Sequence, residues 1–347
     1  MTYFSLLPST IITVGIKKSC IVDIEKSLFA QIPNGMASFF RDKRNFEIEK
    51  ELELFCHEER MIIEDYISFL VNHNFAIIHN CKKIAFKYIE ETYRYKSPFA
   101  LESIIIDAKT KEDLLYFLSF LPTTQITNLL QLRLFFCVGF SFLLLLAKKL
   151  KYLRVELVIQ YNPAIEDDDY HVLLNHYSST ISRVVVMGTK EKKQSNNRRL
   201  FYTIEPLIGD EQCGKIRKSM FMTNIESYLI SCSGNSCLYK KISIDSSGNI
   251  KNCPSMQKTY GHVSKIKLED VIVSDEFKKY WKIKKSNIDV CKDCEFRNIC
   301  IDCRAFITYP NNIFSQPKKC KYNPYLAKWE DEDGWISVEQ WRNKNQN

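Results

Sequence analysis

The stretch Cys291-Lys292-Asp293-Cys294-Glu295-Phe296-Arg297-Asn298-Ile299-Cys300-Ile301-Asp302-Cys303 places four cysteines within thirteen residues. Cysteines two residues apart can bind one metal centre, because the turn between them lets both sulfurs converge. Cys320 follows after sixteen more residues, and Cys232-x4-Cys237-x15-Cys253 lies before the stretch. Eight sulfurs make two four-ligand sites with none left over, so the spacing predicts two metal centres.

The other five of the thirteen cysteines show no ligand spacing, and we predict that they are small core residues. They are Cys20, Cys56, Cys81, Cys137 and Cys213. The start of the chain has no basic segment followed by an unbroken apolar run, so no secretory signal is expected. Disulfides are rare in the cytosol, where clustered cysteines indicate metal or redox chemistry.

Charge and hydropathy narrow the range of partners. The formal net charge of +8 is mild for 347 residues and is spread along the chain, which argues against a nucleic-acid partner. The longest apolar run, Leu134 to Ala147, is shorter than the roughly 18–20 residues that cross a bilayer. We therefore predict a cytoplasmic protein with neither a nucleic acid nor a membrane as partner, and we interpret the run as a buried strand–helix segment.

The first 85 residues are predicted to form a small winged-helix-like module. Phe4–Val14 and Cys20–Phe29 have the composition of strands, and the apolar residues between Met61 and Leu70 recur at helical intervals. A short strand follows at Phe75–Ile78, after a turn predicted at Ile32–Gly35. Such a module could recognise a peptide by adding it as a strand to a sheet edge, or it could be a plain packing domain.

Residues 98–208 alternate short apolar runs with helical patterns, which predicts parallel βα units in an α/β fold. The strand candidates are Ser103–Asp107, Val155–Ile159 and Arg183–Met187, with helices at Lys111–Phe120 and Asp168–Ser178. The region is too short for a complete eight-unit barrel, which needs about 200 residues or more. A partial or degenerate barrel is therefore expected.

Residues 212–330 are predicted to form the cysteine domain. Lys240–Ile244 and Ile250–Cys253 read as strands, and Asp245–Asn249 between them is a turn in which Gly248 can take positive φ. This hairpin would bring Cys237 and Cys253 to the same end. A helix is expected over Ser274–Ile283. Thiolates bind zinc as readily as iron–sulfur clusters, so both remain open at this point.

The cysteine pattern closely resembles the SPASM domain, the auxiliary-cluster domain of many radical-SAM peptide-modifying enzymes. Its signature is Cys, nine to fifteen residues, Gly-x4-Cys, a gap, Cys-x2-Cys-x5-Cys-x3-Cys, a gap, and Cys. Here Cys237, Gly248-x4-Cys253 and Cys291-x2-Cys294-x5-Cys300 fit, whereas Cys303 follows after two residues instead of three. The segments Gly248–Ser255, Cys291–Arg297 and Tyr322–Tyr325 further resemble the SPASM-domain peptide maturase of grasp-with-spasm systems, over most of the chain.

The resemblance implies two [4Fe-4S] clusters with an interleaved set of ligands. The first would be held by Cys232, Cys237, Cys253 and Cys303, and the second by Cys291, Cys294, Cys300 and Cys320. It also implies a ribosomally made precursor peptide and an ATP-grasp ligase as partners.

The Cys-x3-Cys-x2-Cys motif of radical-SAM enzymes is missing from the sequence, so S-adenosylmethionine is not expected as a cofactor. The chain is either a peptide-modifying maturase or a non-catalytic accessory. The alternative function is a scaffold stapled by zinc, and a self-sufficient redox enzyme is disfavoured because no nucleotide-binding loop is present.

Overall fold

The computed structural model describes residues 1–82, 86–89, 93–121, 127–209 and 213–345. The chain forms two compact units, and it enters each of them more than once. The first unit contains Met1–Tyr95, Ile216–Ser236 and Ile283–Asn347, and the second contains Lys96–Lys215 and Cys237–Lys282. The predicted cysteine domain is thus shared between the units. The division of the chain into three functional domains, at residues 1–85, 98–208 and 212–330, stays a prediction.

The first unit holds three small antiparallel sheets and five helices among its described residues. Its strands are β1 (Tyr3–Leu6), β2 (Thr10–Val14), β3 (Ser19–Asp23), β4 (Leu28–Ile32), β5 (Asn45–Glu47), β6 (Ala76–His79), β15 (Tyr322–Asn323) and β16 (Lys328–Trp329). Its helices are α1 (Asn34–Asp42), α2 (Ile48–Leu52), α3 (His57–Asn72), α7 (Ile225–Ser233) and α10 (Val338–Asn345). The strands pair in the orders β5-β1-β6, β2-β3-β4 and β15-β16.

Two predicted strands of the first unit are each divided in the structure. Phe4–Val14 breaks at Pro8, which has no N–H to offer a sheet, and β1 and β2 therefore belong to different sheets. Cys20–Phe29 breaks into β3 and β4 around Ser27, which takes a φ of 57°. The predicted turn at Ile32–Gly35 contains the end of β4 and the start of α1. The predicted helix around Met61–Leu70 is confirmed as part of α3.

The second unit is built on an eight-stranded sheet. Its strands are β7 (Leu101–Ala108), β8 (Thr127–Leu134), β9 (Val155–Gln160), β10 (Ile181–Met187), β11 (Lys193–Gln194), β12 (Leu200–Thr203), β13 (Lys241–Ile244) and β14 (Ile250–Lys251). Its helices are α4 (Lys111–Leu118), α5 (Phe140–Lys149), α6 (Asp167–His176), α8 (Leu268–Val273) and α9 (Asp275–Lys278). The order is β11-β12-β10-β9-β8-β7-β13-β14.

The sheet is parallel from β12 to β13, and each of its two outermost strands, β11 and β14, pairs antiparallel. The mixed α/β class and the βα alternation predicted for the middle of the chain are confirmed, and the apolar run after Arg133 contains the end of β8 and most of α5. The strand β13 from the cysteine region joins this sheet beside β7. The specific winged-helix and barrel layout stays a prediction.

The helix expected over Ser274–Ile283 is wrong in its length. Helix α9 ends at Lys278, and Ser274 is extended, with φ −63° and ψ 130°. Tertiary contacts hold this segment in place of further helical hydrogen bonds. The Nε1–H of Trp281 donates to the carbonyl of Lys241 at 3.0 Å, and Phe277 is fully buried.

Among the described residues, no helix combines the length and the apolar character needed to cross a bilayer.

Candidate metal centres

Four of the predicted ligands lie around one cavity of the first unit. Cys291, Cys294, Cys300 and Cys320 all line this cavity, which encloses about 20 Å³, enough for about one water molecule. Its other walls are largely apolar and include Phe221, Val290, Phe296, Tyr322 and Trp329. The structure therefore brings together the four cysteines that the resemblance assigns to the second cluster.

Short turns, rather than helices or strands, position these cysteines. Cys291–Asp293 is a single 3-10 turn, and the N–H of Cys294 donates to the carbonyl of Cys291 at 3.1 Å. Val290, just before it, takes a φ of 69°, which turns the chain sharply into the Cys-x2-Cys segment. Cys320 reaches the cavity through a bridge to Ile216. The turn geometry predicted from the two-residue spacing is thus present.

A buried lysine reaches into this set of sulfurs. The Nζ of Lys285 lies 3.3 Å from the Sγ of Cys300 and 3.8 Å from the Sγ of Cys291, and the residue is only 6% exposed. Burial alone would lower the pKa of Lys285, but Cys291, Cys300 and Asp302 raise it well above its ordinary value. The ammonium group therefore stays charged and places a positive charge at the sulfurs.

Burial raises the pKa of the thiols, whereas it lowers that of a lysine. It raises the pKa of Cys291 to about 11, and it raises the pKa of Cys294, Cys300 and Cys320 as well. Metal binding must displace these protons, since the thiolate is the ligand. Soft sulfur donors, with a cation to balance the charge of an anionic cluster, are the type of ligand set that iron–sulfur centres use.

The hairpin of β2 and β3 packs on the turn that carries Cys294. The N–H of Ile16 donates to the carbonyl of Asp293 at 2.8 Å, and the Nη1 of Arg297 donates to the carbonyl of Val14 at 2.7 Å. Gly15 permits this approach, because a Cβ on it would lie 2.7 Å from the backbone nitrogen of Glu295. The N-terminal strands thus form one wall behind the cysteine turn.

A buried carboxyl group lies directly beside Cys294. Glu295 is 1% exposed, and its Oε1 accepts hydrogen bonds from the Nε2 of Gln31, at 2.7 Å, and from the hydroxyl of Tyr322. Burial raises the pKa of Glu295 above its ordinary value. The pairing of Glu295 with Tyr322 could not be predicted from the sequence, because it depends on where β15 packs.

A second buried network holds the segment between Cys300 and Cys303. The side chains of Asp302 and Arg304 are fully buried and form an ion pair at 2.6 Å. Asp302 also accepts from the Nδ2 of Asn235 at 2.5 Å, and the hydroxyl of Ser236 donates to the carbonyl of Cys300 at 3.1 Å. These bonds tie the cysteine turn to the segment after α7.

The predicted ligands of the first cluster are divided between the units. Cys232, at the exposed end of α7, and the buried Cys303 belong to the first unit, whereas Cys237 and Cys253 belong to the second. The assembly of these four into one site stays a prediction.

Within the second unit, the hairpin predicted around Gly248 is confirmed. Strands β13 and β14 pair antiparallel, and Gly248 takes a φ of 79°. Cys237 precedes β13 and Cys253 follows β14, so both lie toward the same end of the hairpin. The Nζ of Lys241 is 3.9 Å from the Sγ of Cys237. Burial alone would lower the pKa of Lys241, but Cys237 and Cys253 raise it.

The prediction for the remaining five cysteines is wrong for most of them. Cys20 is buried as expected, but Cys56, Cys81 and Cys137 are exposed, and Cys213 is half-buried. The side chain of Cys213 shares a hydrogen bond with that of Cys253. No spacing rule could have found this contact, because the two cysteines lie forty residues apart in the sequence.

The second unit also has a polar cavity of about 400 Å³ near the carboxyl ends of β9 and β10. Ligand sites of open α/β sheets commonly lie at this edge. Asp167 lines the cavity and accepts hydrogen bonds from Lys193 and from the hydroxyl of Tyr202, both of which lower its pKa. The carboxylate of Asp167 is thereby already paired within the chain.

Among the described residues, no group of three or more His, Cys, Asp or Glu side chains is arranged to hold a single metal ion. Comparison with protein-family models gave no match, and neither did comparison with curated proteins.

Solved structures similar to this chain include those of SuiB from Streptococcus suis. SuiB bound to its precursor peptide SuiA is similar with a TM-score of 0.33 and 12% identity, over 90% of this chain and 98% of that one. SuiB bound to S-adenosylmethionine is similar with a TM-score of 0.29 and 12% identity, over 87% of this chain and 96% of that one. SuiB alone gives 0.30 and 13%, over the same shares.

Proposed function

We propose that this chain is an iron–sulfur protein for the maturation of a ribosomally synthesised peptide, acting in the cytoplasm with a precursor peptide and an ATP-grasp ligase. The observation that carries the proposal is the cavity lined by Cys291, Cys294, Cys300 and Cys320, with the ammonium of Lys285 at its sulfurs. The SPASM-like spacing of all eight cysteines supports two [4Fe-4S] clusters.

The cysteine pattern favours a cluster over zinc. Four cysteines lie within the thirteen residues from Cys291 to Cys303, and the Gly248-x4-Cys253 hairpin resembles that of the iron–sulfur family. When bound, a cluster would supply one-electron transfer or a structural cross-link. The chain's own residues do the rest: the turns position the thiols, Lys285 balances negative charge, and the apolar wall excludes water.

The peptide partner would bind by strand addition. Strand β4 lies at one end of the β2-β3-β4 sheet, and its first two residues, Leu28 and Phe29, are exposed. An extended precursor could add its main-chain hydrogen bonds to such an edge and place alternate side chains on the exposed apolar surface. This assigns the recognition role predicted for residues 1–85 to one strand.

The test is metal analysis of protein purified and reconstituted without oxygen. Two clusters would give about eight irons and eight sulfides per chain with broad absorption in the visible range. The Cys294→Ala variant should then lose about half of the iron. Cys56→Ala changes an exposed cysteine of the same unit and should keep all of it.

The alternative is a scaffold protein whose cysteines bind zinc. It is favoured only because thiolates bind zinc as readily as iron–sulfur clusters. About two zincs per chain, with no colour and no sulfide, would contradict the iron–sulfur proposal and establish this alternative.

A further inference from the structure

The polar cavity at the carboxyl ends of β9 and β10 is lined by a tyrosine whose buried hydroxyl has no partner. Tyr170, in α6, lines this cavity of about 400 Å³ and is only 1% exposed. Among the described residues, its hydroxyl finds no hydrogen-bond partner. A buried hydroxyl without a partner is costly, so its presence in a folded chain calls for a specific explanation. A ligand would supply the partner, and the cavity has the size of a small-molecule site.

The same cavity already contains a cation that belongs to the chain. The Nζ of Lys193 donates to the carboxylate of Asp167 at 2.5 Å and lies 4.6 Å from the centre of the Tyr202 ring. The hydroxyl of Tyr202 also donates to Asp167, so Tyr202 orients the carboxylate and supplies the aromatic face. The ring of Tyr170 lies edge-on to that of Tyr202, with centres 6.3 Å apart. A carboxylate beside an aromatic face is a combination that binds organic ammonium groups.

Lys193 is a replaceable occupant of this position. Its side chain is 46% exposed and that of Asp167 is 52% exposed, so water and salt weaken the attraction between them. Lys193 belongs to β11, a strand of two residues at the end of the sheet. So short an edge strand is held by few hydrogen bonds, and the lysine can withdraw without disturbing the buried strands.

The charges around the cavity favour a cationic ligand over an anionic one. Three carboxylates line it, those of Glu166, Asp167 and Glu191, together with the ammonium groups of Lys190 and Lys193. The first turn of α6 carries three consecutive acidic residues, which neutralise the positive end of the helix and disfavour a phosphate there. Withdrawal of Lys193 leaves three carboxylates and one ammonium group around the cavity.

We propose that this cavity binds a small primary amine that carries a second polar group. The ammonium of the ligand replaces that of Lys193 between Asp167 and the ring of Tyr202, and its second polar group bonds to the hydroxyl of Tyr170. The site lies within the second unit and requires no cluster, so the inference goes beyond the proposed function and does not depend on it.

The experiment measures binding to the full chain by isothermal titration calorimetry with matched probes. Aminopentanol carries an ammonium and a hydroxyl group, pentylamine lacks the hydroxyl, and pentanediol lacks the ammonium. Aminopentanol should bind most tightly, pentylamine more weakly and pentanediol not at all. Nα-acetyl-lysinamide distinguishes the source of the amine: its binding would extend the site to an amine carried by a peptide, and binding of aminopentanol alone would restrict it to free small amines.

Variants assign the binding to this cavity, with circular dichroism as the check that each one is folded. Asp167→Asn should weaken the binding of aminopentanol about tenfold or more, whereas Asp168→Asn, in the same helical turn, should leave it unchanged. Lys193→Met removes the competing ammonium and should tighten binding roughly two- to fivefold. Tyr170→Phe leaves no partner unpaired, so aminopentanol should bind to it no better than pentylamine does.

Three results would each overturn the inference. The first is no binding of aminopentanol at millimolar concentration to either the unaltered chain or Lys193→Met. The second is binding that Asp167→Asn and Asp168→Asn weaken equally, which would place the amine outside the cavity. The third is pentanediol binding as tightly as aminopentanol, which would exclude recognition of the ammonium. None of these results concerns iron or sulfide, so the proposed function would stand.

Discussion

Replacing Asp302 by alanine removes the only carboxylate that the described residues place against the guanidinium of Arg304. The Nη2 of Arg304 lies 2.6 Å from the Oδ1 of Asp302, and neither side chain has any exposed surface. In the variant, Arg304 keeps two backbone acceptors, the carbonyls of Ile313 and Ser315, each at 2.9 Å. Its charge remains buried without a counter-charge, which is the costly state for an ionised group.

The magnitude follows from the burial of the pair. Two charges about 4 Å apart at an effective dielectric constant of about 20 attract by roughly 4 kcal/mol. Removal of one partner of a buried ion pair costs about 3–5 kcal/mol. For a unit of this size, each kcal/mol lowers the Tm by about 2–4 °C, so we expect a fall of roughly 6–20 °C. Loss of iron should accompany it, because Asp302 lies between Cys300 and Cys303.

The assay is thermal unfolding of the reconstituted protein, followed by tryptophan fluorescence at one scan rate for all variants, since release of a cluster makes unfolding irreversible. The double variant Asp302→Leu with Arg304→Met should recover most of the loss, because it leaves no unpaired buried charge. Asp289→Ala, at a half-exposed ion pair with Lys292, should change the Tm by less than about 2 °C. A fall of less than 2 °C in Asp302→Ala would refute the reasoning about this network.

Two further changes test the surroundings of the cavity. Lys285→Met keeps the length of the side chain but removes the positive charge at the sulfurs, so redox titration should show a lower reduction potential for one cluster. Lys292→Met, which changes an exposed lysine, is the control. An unchanged potential in Lys285→Met would contradict the role given to Lys285. Gly15→Ala places a Cβ 2.5 Å from the carbonyl oxygen of Lys18 and should destabilise the first unit by about 1–3 kcal/mol, as measured by thermal unfolding. Gly35→Ala is the control, because a Cβ there has no atom within 4 Å and should not destabilise the unit. Equal Tm values for the two variants would count against the packing described for the β2–β3 hairpin.

The sequence was most informative where a local rule decides the structure. Asp245–Asn249 predicted its hairpin because a turn with positive φ calls for a residue such as Gly248. The strands of the middle region were also predictable, since their apolar runs are short and separated by helical patterns. The Cys-x2-Cys spacing predicted the turn at Cys291 for the same local reason.

Contacts between segments that are distant in the sequence could not be predicted from such local rules. The ammonium of Lys285 at Cys300 and the bond from Asn235 to Asp302 depend on tertiary packing, and their sequence separations of 15 and 67 residues obey no rule. Cys213 was predicted to be a core residue because no other cysteine lies near it in the sequence, but it is only half-buried. The helix expected after Ser274 was too long because burial of Trp281 overrides helical periodicity.

The packing of the β2–β3 hairpin on the turn at Asp293 also bears on the order of folding. Thr13 and Asn298 are hydrogen-bonded across 285 residues of chain, so this part of the first unit has a very high contact order. A ribosome synthesises the strands first and the turn last, and the second unit can be complete in between. During that interval the inner face of the hairpin lacks its partner and exposes apolar residues such as Ile11 and Val22. Loading of the cluster at Cys294 is therefore expected to be a late, post-translational event, and the nascent chain should depend on chaperones until it occurs.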